Sequence, residues 1–240
     1  MCPPAPWQCT THITQCAGGH KARPYDSHNH RAGGHQARPY DARHNILCSL
    51  LSMLILASNS PRRSQLLAAL DVEFFVRVKP DIDESYPPHL RGAQIAEYLA
   101  HRKAAAYDDE VAAGHAVLTA DTIVVLGEEV LNKPLDEADA HRMLRRLSGH
   151  THEVFTGVCL RQGENAWLLH DRTAVTFADL SDAEIEHYIR RHRPLDKAGA
   201  YGAQDWVGLA AITRLEGSYF TVMGLPTHRV YAVLREAGLV

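Results

Sequence analysis

The sequence lacks a long apolar run, an excess of positive charge and a regular cysteine framework. A membrane-spanning helix needs about 20 consecutive apolar residues, and no segment approaches that length. The 25 basic side chains are outnumbered by 28 acidic ones, and the net charge is −3 with neutral histidines. We therefore expect neither a membrane protein nor a protein that binds a nucleic-acid polymer.

Cysteine is confined almost entirely to the N-terminal part of the chain. Four of the five cysteines lie within residues 1–52, and Cys159 is the fifth. A lone cysteine forms no internal disulfide, which favours a reducing compartment, so we expect a cytoplasmic protein. The hydrophobic fraction of 45% and the charged fraction of 22% are ordinary for a globular domain, and the length allows one sizeable core.

Residues 1–52 differ from the rest of the chain in composition. Residues 18–26 recur almost unchanged as residues 33–41, but two copies are too few to build a repeat fold. Apolar side chains are scarce through most of this part, so no core is expected there. The segment also contains no Cys-x₂-Cys pair of the kind that would predict a zinc site. We predict an extension that is disordered or translated from a mistaken upstream start. Met53 directly precedes the first strand pattern, so the domain is assigned to residues 53–240.

From Met53 onward, strand and helix patterns alternate, which favours an α/β fold. The predicted helices span residues 61–70, 92–107, 136–148, 182–192 and 226–237. The predicted strands span residues 53–57, 73–78, 116–126, 129–132, 153–162 and 166–178, with a shorter one near 209–215. A short break between 153–162 and 166–178 predicts a β-hairpin, so we expect a mixed sheet.

Two of these helices carry clear terminal signals. Asp136 suits the cap of the third helix, and Gly149 suits its end. Ser181 and Glu184 have the spacing of a capping box, and Pro194 lies beyond the end of that helix. Both helices are therefore predicted from their ends, and the third also from an apolar stripe.

Residues 58–63 have the sequence Ser-Asn-Ser-Pro-Arg-Arg, between an apolar strand pattern and a helical one. Pro61 suits the first helical position, and Ser60 or Asn59 suits the cap. A helix N-terminus offers free N–H groups and partial positive charge, so two arginines and two serines there favour a phosphate chain as ligand. An ordinary capped helix with solvated arginines is the alternative.

Asp121 lies inside the run of β-forming residues 117–125. An acid in a central strand costs free energy unless it is paired or bound to a metal ion. The pattern therefore favours a functional aspartate that holds a cation or activates water. A buried acid satisfied by hydrogen bonds, or a strand-end residue, is the structural alternative.

Several separate motifs, in this order, resemble the Maf family of nucleoside triphosphate pyrophosphatases. They are Leu-Ala-Ser-x-Ser-Pro-Arg-Arg at 56–63, Asp-Glu at 83–84, Arg-Lys-Ala at 102–104, Ala-Asp-Thr at 120–122, Lys-Pro at 133–134, Leu-Ser-Gly-x-Thr-His at 147–152, Asp-Lys-Ala-Gly-Ala-Tyr-Gly-x-Gln at 196–204 and Gly-Ser-Tyr-Phe-Thr-Val-Met-Gly-Leu-Pro at 217–226. The resemblance implies an elongated mixed β-sheet flanked by helices, with two lobes around a nucleotide-binding cleft, similar to inosine triphosphatase. The segment at 196–204 looks like the subgroup that acts on dTTP and UTP, not on methylated GTP.

The resemblance also implies a set of site residues. Those implied to bind substrate are Ser58, Arg62, Arg63, Lys103, Thr122, Lys133 and Gln204. Glu84 and Asp121 are implied to hold a divalent cation, Mg²⁺ or Mn²⁺, since both ions favour oxygen donors. Asp121 is also the implied catalytic residue, and the two roles compete because a carboxylate bound to a metal is a weaker base.

Three of these residues have structural alternatives on sequence alone. Lys103 lies four residues after Leu99 on an apolar stripe, where a lysine either snorkels past the core edge or points into a cleft. Glu84 lies in a charged, proline-rich loop, where a solvated acidic turn is the simpler interpretation. Gln204 has an amide that can donate and accept at once, as a uracil or thymine edge demands, but an exposed loop residue is the alternative.

Base selection is implied to fall to Arg62, Thr122 and Gln204. The histidines that invite a metal or nucleophilic role are interpreted as surface or structural residues: His141, His150, His152, His187 and His192. The first hypothesis is a metal-dependent hydrolase that converts dTTP, UTP and modified pyrimidine nucleotides to monophosphate and pyrophosphate. The alternative is a nucleotide-binding regulator of cell division and septum formation without turnover. A nucleoside triphosphate is the expected partner, and a homodimer is compatible with either hypothesis.

Overall fold

The computed structural model describes residues 53–80 and 82–240, so the predicted extension at 1–52 lies outside the described residues. The strands are β1 (Leu54–Leu56), β2 (Phe75–Val76), β3 (Ala116–Leu126), β4 (Glu129–Leu131), β5 (Thr151–Gln162), β6 (Asn165–Phe177) and β7 (Ile212–Glu216). The helices are α1 (Pro61–Ala68), α2 (Ala93–Ala105), α3 (Asp108–Ala112), α4 (Glu137–Leu147), α5 (Asp182–His192), α6 (Trp206–Ala211), α7 (Tyr219–Met223) and α8 (Thr227–Glu236), with a 3₁₀ turn at Ala198–Ala200. Within this described part, no helix is both long and apolar enough to cross a bilayer.

The strands form one mixed sheet in the order β2-β1-β3-β5-β6-β7, and β4 also pairs with β3. β1 pairs in parallel with β2 and β3, and the remaining pairs are antiparallel. β5 and β6 form the predicted hairpin, with Gln162 opposite Asn165. The prediction of a mixed sheet flanked by helices is confirmed.

One edge of β3 is only partly covered. β5 pairs along residues 116–125 on the opposite edge. On this edge, β1 pairs with residues 116–118 and β4 pairs with residues 124–126. No strand of the described chain pairs with residues 119–123 here, so β3 has an open edge between β1 and β4. Because strand side chains alternate in direction, residues on both faces of the sheet can be reached from this gap.

Different helices cover the two faces of the sheet. On one face, α2 packs its apolar side chains, including Ile95 and Leu99, against β3 and β5. On the other face, one core cluster joins α1 and α8 to β1 and the start of β3. A second cluster on that face joins α4 and α5 to β4 and the end of β3. The open edge of β3 therefore lies between two separately packed groups of helices.

The terminal signals of α4 and α5 are confirmed. Asp136 accepts a hydrogen bond from the Asp139 backbone N–H at 2.7 Å. The backbone N–H of Ser181 donates to Glu184 Oε2 at 2.7 Å, and the Glu184 N–H donates to Ser181 Oγ at 3.3 Å. This reciprocal pair is the capping box that the sequence predicts.

The prediction of a strand near 209–215 is partly wrong, because residues 206–211 form α6 and the strand begins at Ile212. At Gly208, a Cβ atom would lie 2.1 Å from the Ala203 carbonyl oxygen, so the packing of α6 depends on this glycine. The helices α3 and α7 were not predicted, since each is only five residues long and shows little periodicity. The strand predicted at 73–78 is reduced to Phe75–Val76.

Candidate active site

A cavity of about 510 Å³ opens at the uncovered edge of β3. It is lined by every residue to which the sequence assigns a site role: Ser58, Arg62, Arg63, Glu84, Lys103, Asp121, Thr122, Lys133 and Gln204. These residues come from six segments separated by up to 146 positions along the chain. The open strand edge thus collects the predicted residues in one place.

The N-terminus of α1 forms one wall of the cavity. Pro61 occupies the first turn, and Ser60 stands at the cap position without a side-chain hydrogen bond to the helix. The first turn contains no acidic residue, and Arg62 extends from it to within 3.6 Å of Asp196. Free N–H groups and a basic side chain at a helix N-terminus favour an anionic ligand.

Arg63 holds several walls of the cavity together. Its Nε donates to the Gly224 carbonyl at 2.8 Å, its Nη1 to Ser58 Oγ at 3.3 Å and its Nη2 to Thr122 Oγ1 at 3.1 Å. Burial lowers the pKa of Arg63, while the charge of Asp121 opposes that effect. The guanidinium therefore links α1, β3 and the end of α7.

A four-residue ionic cluster lies on the other side of β3. Lys103 Nζ is 2.5 Å from Asp121 Oδ1 and 2.8 Å from Glu84 Oε1. Lys133 Nζ lies 3.3 Å from Glu84 Oε2. Burial opposes ionisation of Glu84, but hydrogen bonds and charge from Lys103 and Lys133 outweigh it, so the pKa of Glu84 is lowered. Two ammonium groups thus neutralise two carboxylates in this cluster.

The position of Lys103 follows from close packing between α2 and β5. Gly157 of β5 lies opposite Asp121 in the sheet. A Cβ atom at Gly157 would lie 2.2 Å from the Ala96 carbonyl oxygen of α2. This contact brings the helix against the sheet and directs Lys103 to Asp121, with 16% of the lysine side chain exposed. Lys103 therefore points into the cleft and does not snorkel past the core edge.

Glu84 and Asp121 are the two carboxylates that would serve as donors for a divalent cation, and Lys103 Nζ contacts both of them. Among residues 53–80 and 82–240, no group of three or more His, Cys, Asp and Glu side chains is placed to hold a metal ion. Mg²⁺ is commonly bound by one or two carboxylates together with substrate phosphates and water. The two carboxylates fit an ion that arrives with a triphosphate, provided that Lys103 moves to another acceptor.

A glycine-containing loop presents Gln204 to the cavity. Tyr188 of α5 fixes this loop, because its hydroxyl donates to Asp205 Oδ2 at 2.9 Å and accepts from the Gly202 N–H at 3.1 Å. Gln204 Oε1 is buried and has no hydrogen-bond partner. A buried polar atom without a partner costs free energy, which a ligand donor would recover. Gln204 is half-buried, so the alternative of an exposed loop residue does not hold.

The cavity includes charged residues to which sequence reasoning assigned no role. Lys197 contacts Asp196 Oδ1 at 2.7 Å, and both belong to the glycine-rich motif at 196–204. Lys79 Nζ donates to the Ala106 carbonyl at 2.9 Å at the end of α2. The motif at 196–204 indicates that Asp196 and Lys197 belong near the site, but no local pattern marks Lys79 as a cavity residue.

His152 is structural, as the sequence predicts. It is 1% exposed, and its Nε2 lies 2.7 Å from the hydroxyl of Tyr201, a residue of the cavity wall. Burial lowers the pKa of His152 to about 4, so the imidazole is neutral at pH 7. It supports Tyr201 from behind and does not face the cavity.

The fold and the cavity define an α/β protein with a cavity at an interrupted sheet edge, lined by basic groups and by two adjacent carboxylates. A family model described as "Maf-like protein" matches residues 53–237. The chain belongs to the Maf family, as the motifs predict.

The chain is also similar to individual proteins. The "dTTP/UTP pyrophosphatase" of Phocaeicola vulgatus is 48% identical over 183 residues, which is 76% of this chain and 95% of that protein. The "dTTP/UTP pyrophosphatase" of Flavobacterium johnsoniae is 48% identical over 181 residues, 75% of this chain and 93% of that protein. Among solved structures, a "HAM1 protein" from Coxiella burnetii matches with 16% identity and a TM-score of 0.44, over 78% of this chain and 99% of that chain.

Proposed function

We propose that this protein hydrolyses dTTP and UTP to the nucleoside monophosphate and pyrophosphate, with a divalent cation. One observation carries the proposal: a single cavity combines a free helix N-terminus, basic side chains, two adjacent carboxylates and an unpaired amide oxygen. These are the groups that a triphosphate, an activated water and a base edge require. Two relatives that are 48% identical to this chain are named for the same activity, which supports the proposal.

The phosphate chain is proposed to lie between α1 and the ionic cluster. The N–H groups of the first turn of α1 and the Arg62 guanidinium supply donors on one side. Lys103 and Lys133 supply ammonium groups on the other side. When phosphate oxygens replace Asp121 and Glu84 as their acceptors, the two carboxylates become free for the cation and for water.

Asp121 is proposed to orient and deprotonate the attacking water. The water oxygen forms a bond to the α-phosphorus, the bond between that phosphorus and the bridging α–β oxygen breaks, and pyrophosphate leaves. The water proton passes to the Asp121 carboxylate. A divalent cation held by Glu84 and Asp121 would neutralise charge on the phosphate oxygens. Lys133 and Arg62 would stabilise the pyrophosphate that leaves.

The base is proposed to contact Gln204 and Thr122. The Gln204 amide can complement O4 and N3–H of uracil and thymine, and cytosine reverses that donor and acceptor pattern. A site that hydrogen-bonds one pattern leaves buried polar groups unpaired with the other. Modified pyrimidines that keep O4 and N3–H fit the same requirement.

The test is pyrophosphate release from dTTP, UTP, CTP and GTP, with Mg²⁺ or Mn²⁺ and with excess EDTA. We expect metal-dependent release that is fastest with dTTP and UTP. Absence of turnover with every nucleotide, combined with measurable nucleotide binding, would contradict this proposal and favour the regulatory alternative. Equal rates with the metal ion and with excess EDTA would contradict only the proposed metal requirement, not the hydrolysis.

A further inference from the structure

A chain of hydroxyl groups runs from the cavity into the buried sheet. Arg63 Nη2 lies 3.1 Å from Thr122 Oγ1, which faces Thr156 Oγ1 on β5 at 2.9 Å. Thr156 Oγ1 in turn lies 2.8 Å from the carbonyl oxygen of Thr221 on α7. Thr156 and Thr221 are both fully buried, so water does not compete for these hydrogen bonds. Of the three threonines, only Thr122 lines the cavity.

The direction of every hydrogen bond in this chain is determined by its two ends. A carbonyl oxygen cannot donate, so the Thr156 hydroxyl must donate its one proton to Thr221. The contact between Thr122 and Thr156 still needs a proton, and only Thr122 can supply it. Arg63 has no acceptor, so it donates to Thr122 from the other side.

This order leaves Thr122 with no proton for a ligand. A hydroxyl oxygen has one proton and two lone pairs. The proton is committed to Thr156, and one lone pair accepts from Arg63, so one lone pair is left to face the cavity. Thr122 therefore presents an acceptor to whatever binds there. Thr156, which does not line the cavity, thus determines that the Thr122 hydroxyl accepts and does not donate there.

We propose that Thr156 is a positioning residue for specificity, because it fixes Thr122 as an acceptor for a hydrogen-bond donor of the nucleoside. The inference rests on the proposed nucleotide site. Phosphate oxygens are acceptors, so they do not suit Thr122. The buried oxygen of Gln204 is a second acceptor in the same cavity. A uridine or thymidine nucleotide brings two donors to such a pair, N3–H of the base and the 3′-hydroxyl of the sugar.

The test compares Thr156→Val with Thr156→Ser. Valine keeps the shape of threonine but removes the hydroxyl, which frees the Thr122 proton to rotate toward the ligand. Serine keeps the hydroxyl and serves as the matched control. Dissociation constants are measured for non-hydrolysable α,β-methylene analogues of UTP, CTP, dTTP and 3′-deoxythymidine triphosphate. Binding to these analogues is measured separately from turnover, so a failure of this inference can be distinguished from a failure of the proposed hydrolysis.

In Thr156→Val we expect the affinity ratio between an analogue that carries the hydrogen-bond donor and one that lacks it to fall by at least about fivefold. The reason is that the freed Thr122 hydroxyl can donate as well as accept. If N3–H meets Thr122, the preference for the UTP analogue over the CTP analogue falls. If the 3′-hydroxyl meets Thr122, the preference for the dTTP analogue over its 3′-deoxy form falls. Thr156→Ser should keep the wild-type ratios in either case. Either result would support the inference that Thr156 makes Thr122 a hydrogen-bond acceptor.

Ratios within twofold of wild type in Thr156→Val would overturn the inference. An equal loss of affinity for all four analogues would do the same, since a merely structural role predicts that result. Thr156→Val removes a buried hydrogen bond and could unfold, so Thr122→Val provides a second route. That variant removes the acceptor at the cavity wall, and it must abolish the same preference if the inference is correct.

Discussion

The ammonium nitrogen of Lys103 lies 2.5 Å from the Asp121 carboxylate, in a strand where an unpaired acid would be costly. Only 11% of the aspartate side chain and 16% of the lysine side chain are exposed. The pair places an ammonium group against a largely buried carboxylate at the cavity wall. In the proposed mechanism, the lysine exchanges this acceptor for a phosphate oxygen when the nucleotide binds.

Asp121→Asn should abolish turnover while the fold is retained. The substitution is nearly isosteric, but it removes the charge needed for a proton or a cation. We expect a loss of at least about 10²-fold in kcat, measured by pyrophosphate release. Asp108→Asn, which changes an exposed acid paired with Arg161, is the matched control and should keep the rate. A near-normal rate in Asp121→Asn would make the aspartate structural.

Lys103→Met should strengthen Mn²⁺ binding to the nucleotide-free protein. The change leaves Asp121 and Glu84 without the ammonium group that now neutralises them. We expect affinity to rise by about tenfold, measured by titration calorimetry, because two uncompensated carboxylates attract a divalent ion. Arg102→Met alters the neighbouring residue of α2, which contacts Asp83, and should leave Mn²⁺ binding unchanged. Unchanged or weaker binding in Lys103→Met would count against a metal site at these carboxylates.

Gln204→Ala should change the choice of base more than the rate of chemistry. Removal of the amide takes away hydrogen bonds to O4 and N3–H, so kcat/KM should fall more for dTTP and UTP than for CTP. The measurement is kcat/KM for all three nucleotides, and we expect the UTP to CTP ratio to fall by about tenfold. Equal losses on all three nucleotides would indicate that Gln204 orders the loop or the phosphates.

His152 should make the fold sensitive to acid. Its folded pKa of about 4 lies below its usual value, so the unfolded chain binds the proton more readily. The stability that depends on the neutral imidazole is present above about pH 6.5 and is lost as the pH falls toward 4, by about 3 kcal/mol in total. Urea unfolding across this range should show a shallower pH dependence for His152→Gln than for wild type. His187→Gln, at an exposed position, is the control and should match wild type.

Residues 53–240 should retain the stability and activity of the full chain. Among the described residues, the core clusters and the residues that line the cavity all lie within this range. We expect the thermal midpoint of the 53–240 protein to lie within about 3 °C of the full-length value, with turnover unchanged. A larger fall, or loss of soluble expression, would assign residues 1–52 to the fold.

Much of the fold could be predicted from local patterns. The hairpin β5–β6 follows from two long runs of β-forming residues, and α5 follows from its capping box. The strand and helix boundaries that were predicted wrongly depend on tertiary contacts. α6 packs through Gly208 against the Ala203 backbone, a contact for which the local sequence gives no sign.

The site could be predicted in its membership but not in its arrangement. Motif resemblance named nine residues, and all nine line one cavity. The sequence did not show that Lys103 bridges Asp121 and Glu84, because that contact depends on how closely α2 approaches β5 at Gly157. It also gave no sign of Thr156, since a buried threonine in a strand looks like any other β-forming residue.

The open edge of β3 has a consequence for association between molecules. Unpaired strand edges at the rim of a sheet invite pairing with a strand from another chain, which leads to aggregation. Here residues 119–123 lie between β1 and β4, so a strand from another chain could pair with at most five residues before it met one of these two strands. The flanking strands thus limit pairing with neighbouring chains, and residues 120–122 of the gap line the cavity instead.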